Sequence, residues 1–184
     1  MAGVMGTLST VPATTRPDLL APPVVQALES WPGAGEVLVA EIDPQLADTA
    51  AFCAAYQVGL DVSANCVVVA GKREGQARFA ACLVLATTRA DVNGVVRRLL
   101  DVRKASFAAM DLAVAETGMQ YGGITPIGLP DGWPVFVDAT VAATPYVIIG
   151  SGIRGSKLLL PGKLLGELPH AQVIDGLAMP VPQS

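Results

Sequence analysis

The apolar residues of this chain come in short runs cut by glycine and proline, and this limits what the chain can build. A membrane-spanning helix needs about 20 consecutive apolar residues, and runs such as 66–70 and 146–149 are far shorter. Residues 36–42 alternate and are partly β-branched, which reads as a strand. Residues 65–70 and 77–86 are apolar and flank the polar turn 71–75, so they form a hairpin. Further strands are expected at 135–137, 146–149, 158–160 and 172–174.

Helix signals are fewer. Pro22-Pro23 opens a helix that Pro32-Gly33 stops. Asp43-Pro44 caps a second, with Leu46, Ala50, Cys53, Ala54 and Gln57 on one side and Gly59 at its close. Asp91 caps a third that turns Val95, Val96, Leu99 and Leu100 inward and Arg97 and Arg98 outward. A short helix within 106–117 ends at Gly118, and another covers 163–168. Strands outnumber helices and do not follow a βαβ repeat. The expected class is therefore α/β of the α+β mixed kind, with a mixed, partly closed barrel-like β-sheet flanked by helices.

With 52% hydrophobic and 15% charged residues the chain can bury a sizeable core. Aromatics are only 5%, so Val, Leu, Ile and Ala must fill that core. The expected organisation is a flexible N-terminal leader at 1–17, one domain at 18–180 and a tail at 181–184. The first 11 residues lack the basic start of a secretory signal. The three cysteines are odd in number and match no zinc spacing, as in a reducing compartment. A cytoplasmic protein without membrane, metal or cofactor is expected.

Net charge is −4, and its distribution is uneven. Residues 17–71 hold seven acids and no Lys or Arg. The basic residues collect later, in one group of Arg97, Arg98, Arg103 and Lys104 and another of Arg154, Lys157 and Lys163. Either group can face phosphate, or simply face solvent.

The catalytic motifs of serine hydrolases, P-loop enzymes and dinucleotide binders are absent, and the single histidine, His170, sits beside Pro169 in a turn. The informative stretch is 118–130. Gly122 and Gly123 allow backbone conformations closed to other residues, and Pro126 pushes Thr125 toward extended geometry. Such a loop can aim consecutive backbone N–H groups at one point, as a developing oxyanion or a phosphate requires. Read from the residues alone, it can equally be a tight connection between helix and strand.

Gly122-Gly123-Ile124-Thr125-Pro126 resembles the Gly-x-x-x-Pro loop of the YbaK/EbsC and prolyl-tRNA synthetase-associated editing domains. Thr117-Gly118 precedes the loop as it does in that family, and Ile127-Gly128 and then Pro134-Val135-Phe136-Val137-Asp138 follow it. The segment 150–157 (GSGIRGSK) is similar to the family's later pocket loop, and 65–86 to its central hairpin. The resemblance covers about residues 36–178.

The resemblance implies a deacylase, a hydrolase that edits in trans by cleaving the ester of a mischarged aminoacyl-tRNA. Its partners would be the tRNA acceptor end with its aminoacylated 3′ adenosine and, second, an aminoacyl-tRNA synthetase. The catalytic loop would be Gly122, Gly123, Ile124, Thr125 and Pro126. Asn65 stands where many members carry a lysine, and an asparagine donates hydrogen bonds without charge. Lys157 or Arg154 would then supply the charge. Tyr121 and Met119 would floor the amino-acid site or pack in the core. Asp138 would orient a pocket group or cap the strand end. Ser151 and Gly152, with Ser156, would meet the ribose or phosphate or shape a glycine loop. The alternative is a non-catalytic binding homologue that keeps the pocket for a nucleotide, an aminoacyl group or a synthetase.

Overall fold

The computed structural model describes residues 5–181. From the N-terminus come β1 (Thr10–Pro12), α1 (Pro22–Ser30), β2 (Leu38–Glu41) and α2 (Thr49–Tyr56). The long hairpin β3 (Ala64–Arg73) and β4 (Gln76–Leu85) follows, then β5 (Thr88–Ala90), α3 (Arg97–Leu100), β6 (Ala105–Phe107) and α4 (Met110–Thr117). After an irregular stretch come β7 (Val135–Asp138), α5 (Ala139–Ala142), β8 (Val147–Gly150), β9 (Ser156–Leu160), β10 (Ala171–Ile174) and β11 (Ala178–Pro180).

The strands form an antiparallel sheet in the order β1-β2-β9-β8, a mixed sheet in the order β10-β7-β4-β3-β6, and a small β11-β5 pair. A parallel bridge between Ser63 and Ile148 joins the two larger sheets where β3 begins, so they curl toward one another without closing. The period-two pattern of the strands explains the layering. Leu83, Val135, Val137, Ile149, Leu158 and Leu160 face the central core with Val24 and Leu28 of α1. Their neighbours Cys82, Val84 and Phe136 face a second core closed by Val92, Val96 and Leu100. Ile148 and Leu159 face a third, built on Phe52 of α2.

This is the mixed α/β class expected. The local differences have physical causes. In the segment read as a leader, Thr10–Pro12 pairs with β2 and Ala13 is fully buried. A three-residue strand with little alternation leaves no periodic trace. Residues 1–4 and, in the expected tail, 182–184 lie outside the described residues. In α2 the buried residues are Phe52 and Cys53, while Ala50 and Ala54 are exposed. The Asp43 cap and Pro44 serve a separate 3-10 turn, Pro44–Leu46, so the helix starts later and presents another face. Asp91 does cap its helix, accepting from Gly94 N and Val95 N, but the first turn is π-helical over Val92–Val96. The wider turn buries Val92 instead of Leu99.

Asp138 shows how this layer is tied together. Its carboxylate accepts from the backbone N–H and hydroxyl of Thr140, capping α5, and from Ala178 N at 3.0 Å, anchoring β11. Asp138→Ala removes a cap and leaves the half-buried Ala178 N–H without its acceptor, so it should cost about 1–3 kcal/mol of unfolding free energy. Urea titration of the two proteins measures it.

Candidate functional site

A cavity of about 300 Å³ opens where the two large sheets meet. Its walls are the start of β3, the turn before α2, the end of β8, the end of β6 and the loop after Gly118. Gly118 ends α4 in the left-handed conformation (φ 68°), which throws the chain into that loop.

The loop is held by a second loop, 150–156. Gln120 N donates to Gly152 O at 2.9 Å, Gly152 N to Gly123 O at 2.6 Å, and Arg154 N to the side-chain oxygen of Gln120 at 2.8 Å. The backbones touch so closely that a Cβ on Gly123 would lie 2.5 Å from Ile153 O. Gly122 sits at φ 86°, a conformation side chains resist. Arg154 straps the arrangement, donating from Nε to Pro44 O and from a terminal nitrogen to Tyr121 O, each at 3.2 Å.

The N–H of Gly123 is used within its own turn, donating to Gln120 O at 2.9 Å. Gly122 and Ile124 both line the cavity, and among the described residues their N–H groups have no acceptor. Two uncommitted donors from one loop therefore border the space, while Gly123 permits the packing that holds them.

Asn65 and Lys157 line the cavity together with the Asp48 carboxylate and the hydroxyls of Thr49, Ser63 and Tyr121. Thr49 donates to Asn65 Oδ1 at 2.6 Å, which leaves the amide nitrogen without an acceptor among the described residues. Lys157 is 9% exposed; its Nζ donates to Ala47 O at 3.0 Å and lies 5.1 Å from the centre of the Phe52 ring. Burial pulls its pKa below the usual lysine value, since the charged form loses hydration. Cys66 also lines the cavity, but burial pushes its thiol well above the ordinary range, so it stays protonated and is no nucleophile.

The structure thus brings Asn65, Tyr121, Gly122, Ile124 and Lys157 together around one space. Other expected residues lie elsewhere. Pro126 lines a separate cavity of about 510 Å³ on the far side of the loop. Met119 is core, its sulfur receiving Thr125 N at 3.5 Å. Thr125 is fully buried with an unpartnered hydroxyl, so it offers nothing at the cavity surface. Asp138 is the cap described above. Ser151 and Ser156 are hydrogen-bonded to each other at 2.6 Å inside the protein, and Gly152 packs on Ala21. Arg154 braces the loop without lining the cavity. Phe107 and Thr49, which line it, leave no sequence signal, because only the fold carries β6 and the start of α2 to the hairpin.

A family model described as "Aminoacyl-tRNA editing domain" matches residues 43–167. The crystal structure of a protein proposed as a trans-editing enzyme for prolyl-tRNA synthetase is similar at 25% identity and TM-score 0.70, over 84% of this chain and 94% of that one. A structure from a study of epitope grafting onto scaffold proteins is similar at 25% identity and TM-score 0.71, over 84% and 95%. A hypothetical protein 20% identical shares the fold at TM-score 0.64, over 72% of this chain and 85% of its own.

The buried lysine predicts a pH effect. The unfolded side chain titrates near 10.5 and the folded one lower. Between those values the unfolded state holds the extra proton, so stability rises with pH. The unfolding free energy of wild type relative to Lys157→Met should climb as pH rises toward 10.5. A difference flat in pH, measured by urea titration, would contradict this.

Proposed function

Because the chain belongs to the aminoacyl-tRNA editing domain family, we propose that it is a free-standing deacylase that hydrolyses, in trans, the ester joining a wrong amino acid to the 3′ adenosine of a tRNA. The observation that carries this reading is the pair of uncommitted N–H groups on Gly122 and Ile124 at the wall of a cavity that also holds Asn65 and Lys157.

Ester hydrolysis adds water across the acyl bond. The water oxygen bonds to the carbonyl carbon, the carbonyl oxygen becomes an oxyanion, and the ribose oxygen leaves carrying a proton. The Gly122 and Ile124 N–H groups suit that oxyanion, being fixed in advance by the loop pairing. The Asn65 amide and the Lys157 ammonium add donors nearby. A reaction that rests on positioning and oxyanion stabilisation needs no catalytic triad. The cavity of about 300 Å³ suits a small aminoacyl group with part of its adenosine. Metal and cofactor are not part of this reading.

A binding homologue remains the second reading, because Asn65 is uncharged and the Lys157 ammonium already donates to Ala47 O. Hydrolysis separates the two. A panel of small mischarged aminoacyl-tRNAs is offered to wild type, Gly123→Ala and Asn65→Ala. Wild type should hydrolyse at least one. Gly123→Ala forces the loops apart and should lower the rate about 100-fold. Asn65→Ala removes one hydrogen-bonding group and should lower it about 10-fold. A folded wild type that cleaves no member selects the binding reading.

A further inference from the structure

Of the 12 lysines and arginines in this chain, seven gather at one end of the molecule. Lys72, Arg73, Arg97 and Arg103 border one depression with Glu74 and Asp101, and nearby in the chain come Arg78 on β4, Arg98 on α3 and Lys104 just before β6. Seven cations and two acids leave this end at +5, so with the whole chain at −4 the remainder carries −9. The molecule is strongly polarised.

This end is rigid. Asp101, in the left-handed conformation at φ 56°, receives Arg73 at 2.5 Å and Arg78 at 3.3 Å, and Arg78 also donates to Leu100 O. The hairpin tip is thereby tied to the end of α3. Lys72, Arg97, Arg98, Arg103 and Lys104 form no ion pair among the described residues, and all but the half-buried Arg97 are exposed. The second basic group differs. Lys157 is buried and the half-exposed Arg154 is committed to backbone carbonyls, so Lys163 is the exposed member of that group.

Strand β6 connects this end to the cavity. Arg103 and Lys104 lead directly into it, and Phe107 at its other end lines the cavity with 60% of its surface exposed. The three residues of β6 at about 3.3 Å each span roughly 10 Å.

We propose that this basic end is a docking platform for the phosphate backbone of an RNA whose 3′ end enters the cavity, with Phe107 stacking on a base at the mouth and Arg103, Lys104, Lys72 and Arg97 facing successive phosphates. Aromatic stacking beside a positive track is how single-stranded nucleic acid is generally held. The direction of approach rests on the editing reading, since that reading puts the 3′ end in the cavity; the platform's affinity for RNA does not.

The test uses an uncharged RNA hairpin with a single-stranded 3′ end, its binding followed by fluorescence anisotropy across a salt series. Arg103→Glu/Lys104→Glu should weaken binding about 10-fold or more and reduce the salt slope by about 2, one unit per lost phosphate contact. The milder Arg103→Gln/Lys104→Gln should fall between, and Phe107→Ala should weaken binding with the slope kept. Lys163→Glu, outside the platform, should match wild type. Both altered side chains are exposed and unpaired, and circular dichroism confirms that the variants fold. Wild-type affinity and slope in the double variant overturns the platform, as does equal loss in Lys163→Glu, or a platform that binds an acidic protein with RNA binding unchanged. Platform-dependent RNA binding without hydrolysis of any aminoacyl-tRNA overturns only the editing reading. Hydrolysis with RNA binding indifferent to Arg103 and Lys104 overturns only the platform.

Discussion

The site depends on two loops whose backbones meet without side chains between them. The hydrogen bonds among Gln120, Gly123 and Gly152 are short because Gly123 and Gly150 leave no Cβ in the way; on Gly150 it would lie 2.6 Å from Gly123 O. Each loop satisfies the other's polar backbone, which an isolated loop cannot do away with water. This contact decides which N–H groups remain uncommitted. It consumes those of Gln120, Gly152 and Arg154, while Gly123 spends its own within its turn and those of Gly122 and Ile124 are left without an acceptor among the described residues. The free donors of the loop are thus a remainder, set by what the pairing does not use.

The same wall carries a buried cation. The Lys157 ammonium donates to the Ala47 carbonyl and lies over the Phe52 ring, and the Asp48 carboxylate stands on the same cavity wall. Its place on β9, paired with Gly150 on β8, ties the charge to the loop pairing. Asn65 on β3 and Lys157 on β9 thus reach one cavity from two different sheets.

Charge is separated from chemistry across the molecule. The cavity lies at the start of β3, and the cationic end lies at its tip, on the same strand. The net charge of −4 is thus the sum of a cationic end and an acidic remainder, so the molecule's field has a direction that its net charge hides.

Much of the fold was legible from local pattern. The hairpin, β7, β8, β9 and α1 follow from apolar runs and proline or glycine punctuation, because those signals act over a few residues. The glycine loop and its similarity to an editing family were legible for the same reason: tight turns need particular residues wherever they occur. Strands of three residues such as β1, β6 and β11 were not, since they exist only through their partners. The functional assignment inside the loop was likewise not local. Thr125, Pro126 and Met119 stand beside Gly122 and Ile124 in sequence, yet only the packing against 150–156 turns Gly122 and Ile124 toward the cavity and buries Met119 and Thr125. The order of residues alone determined that the chain would form a mixed sheet with a glycine-rich loop and uneven charge. Tertiary structure alone decided which basic group stays free, because an arginine's partners, such as Pro44 O for Arg154, can be more than a hundred residues away.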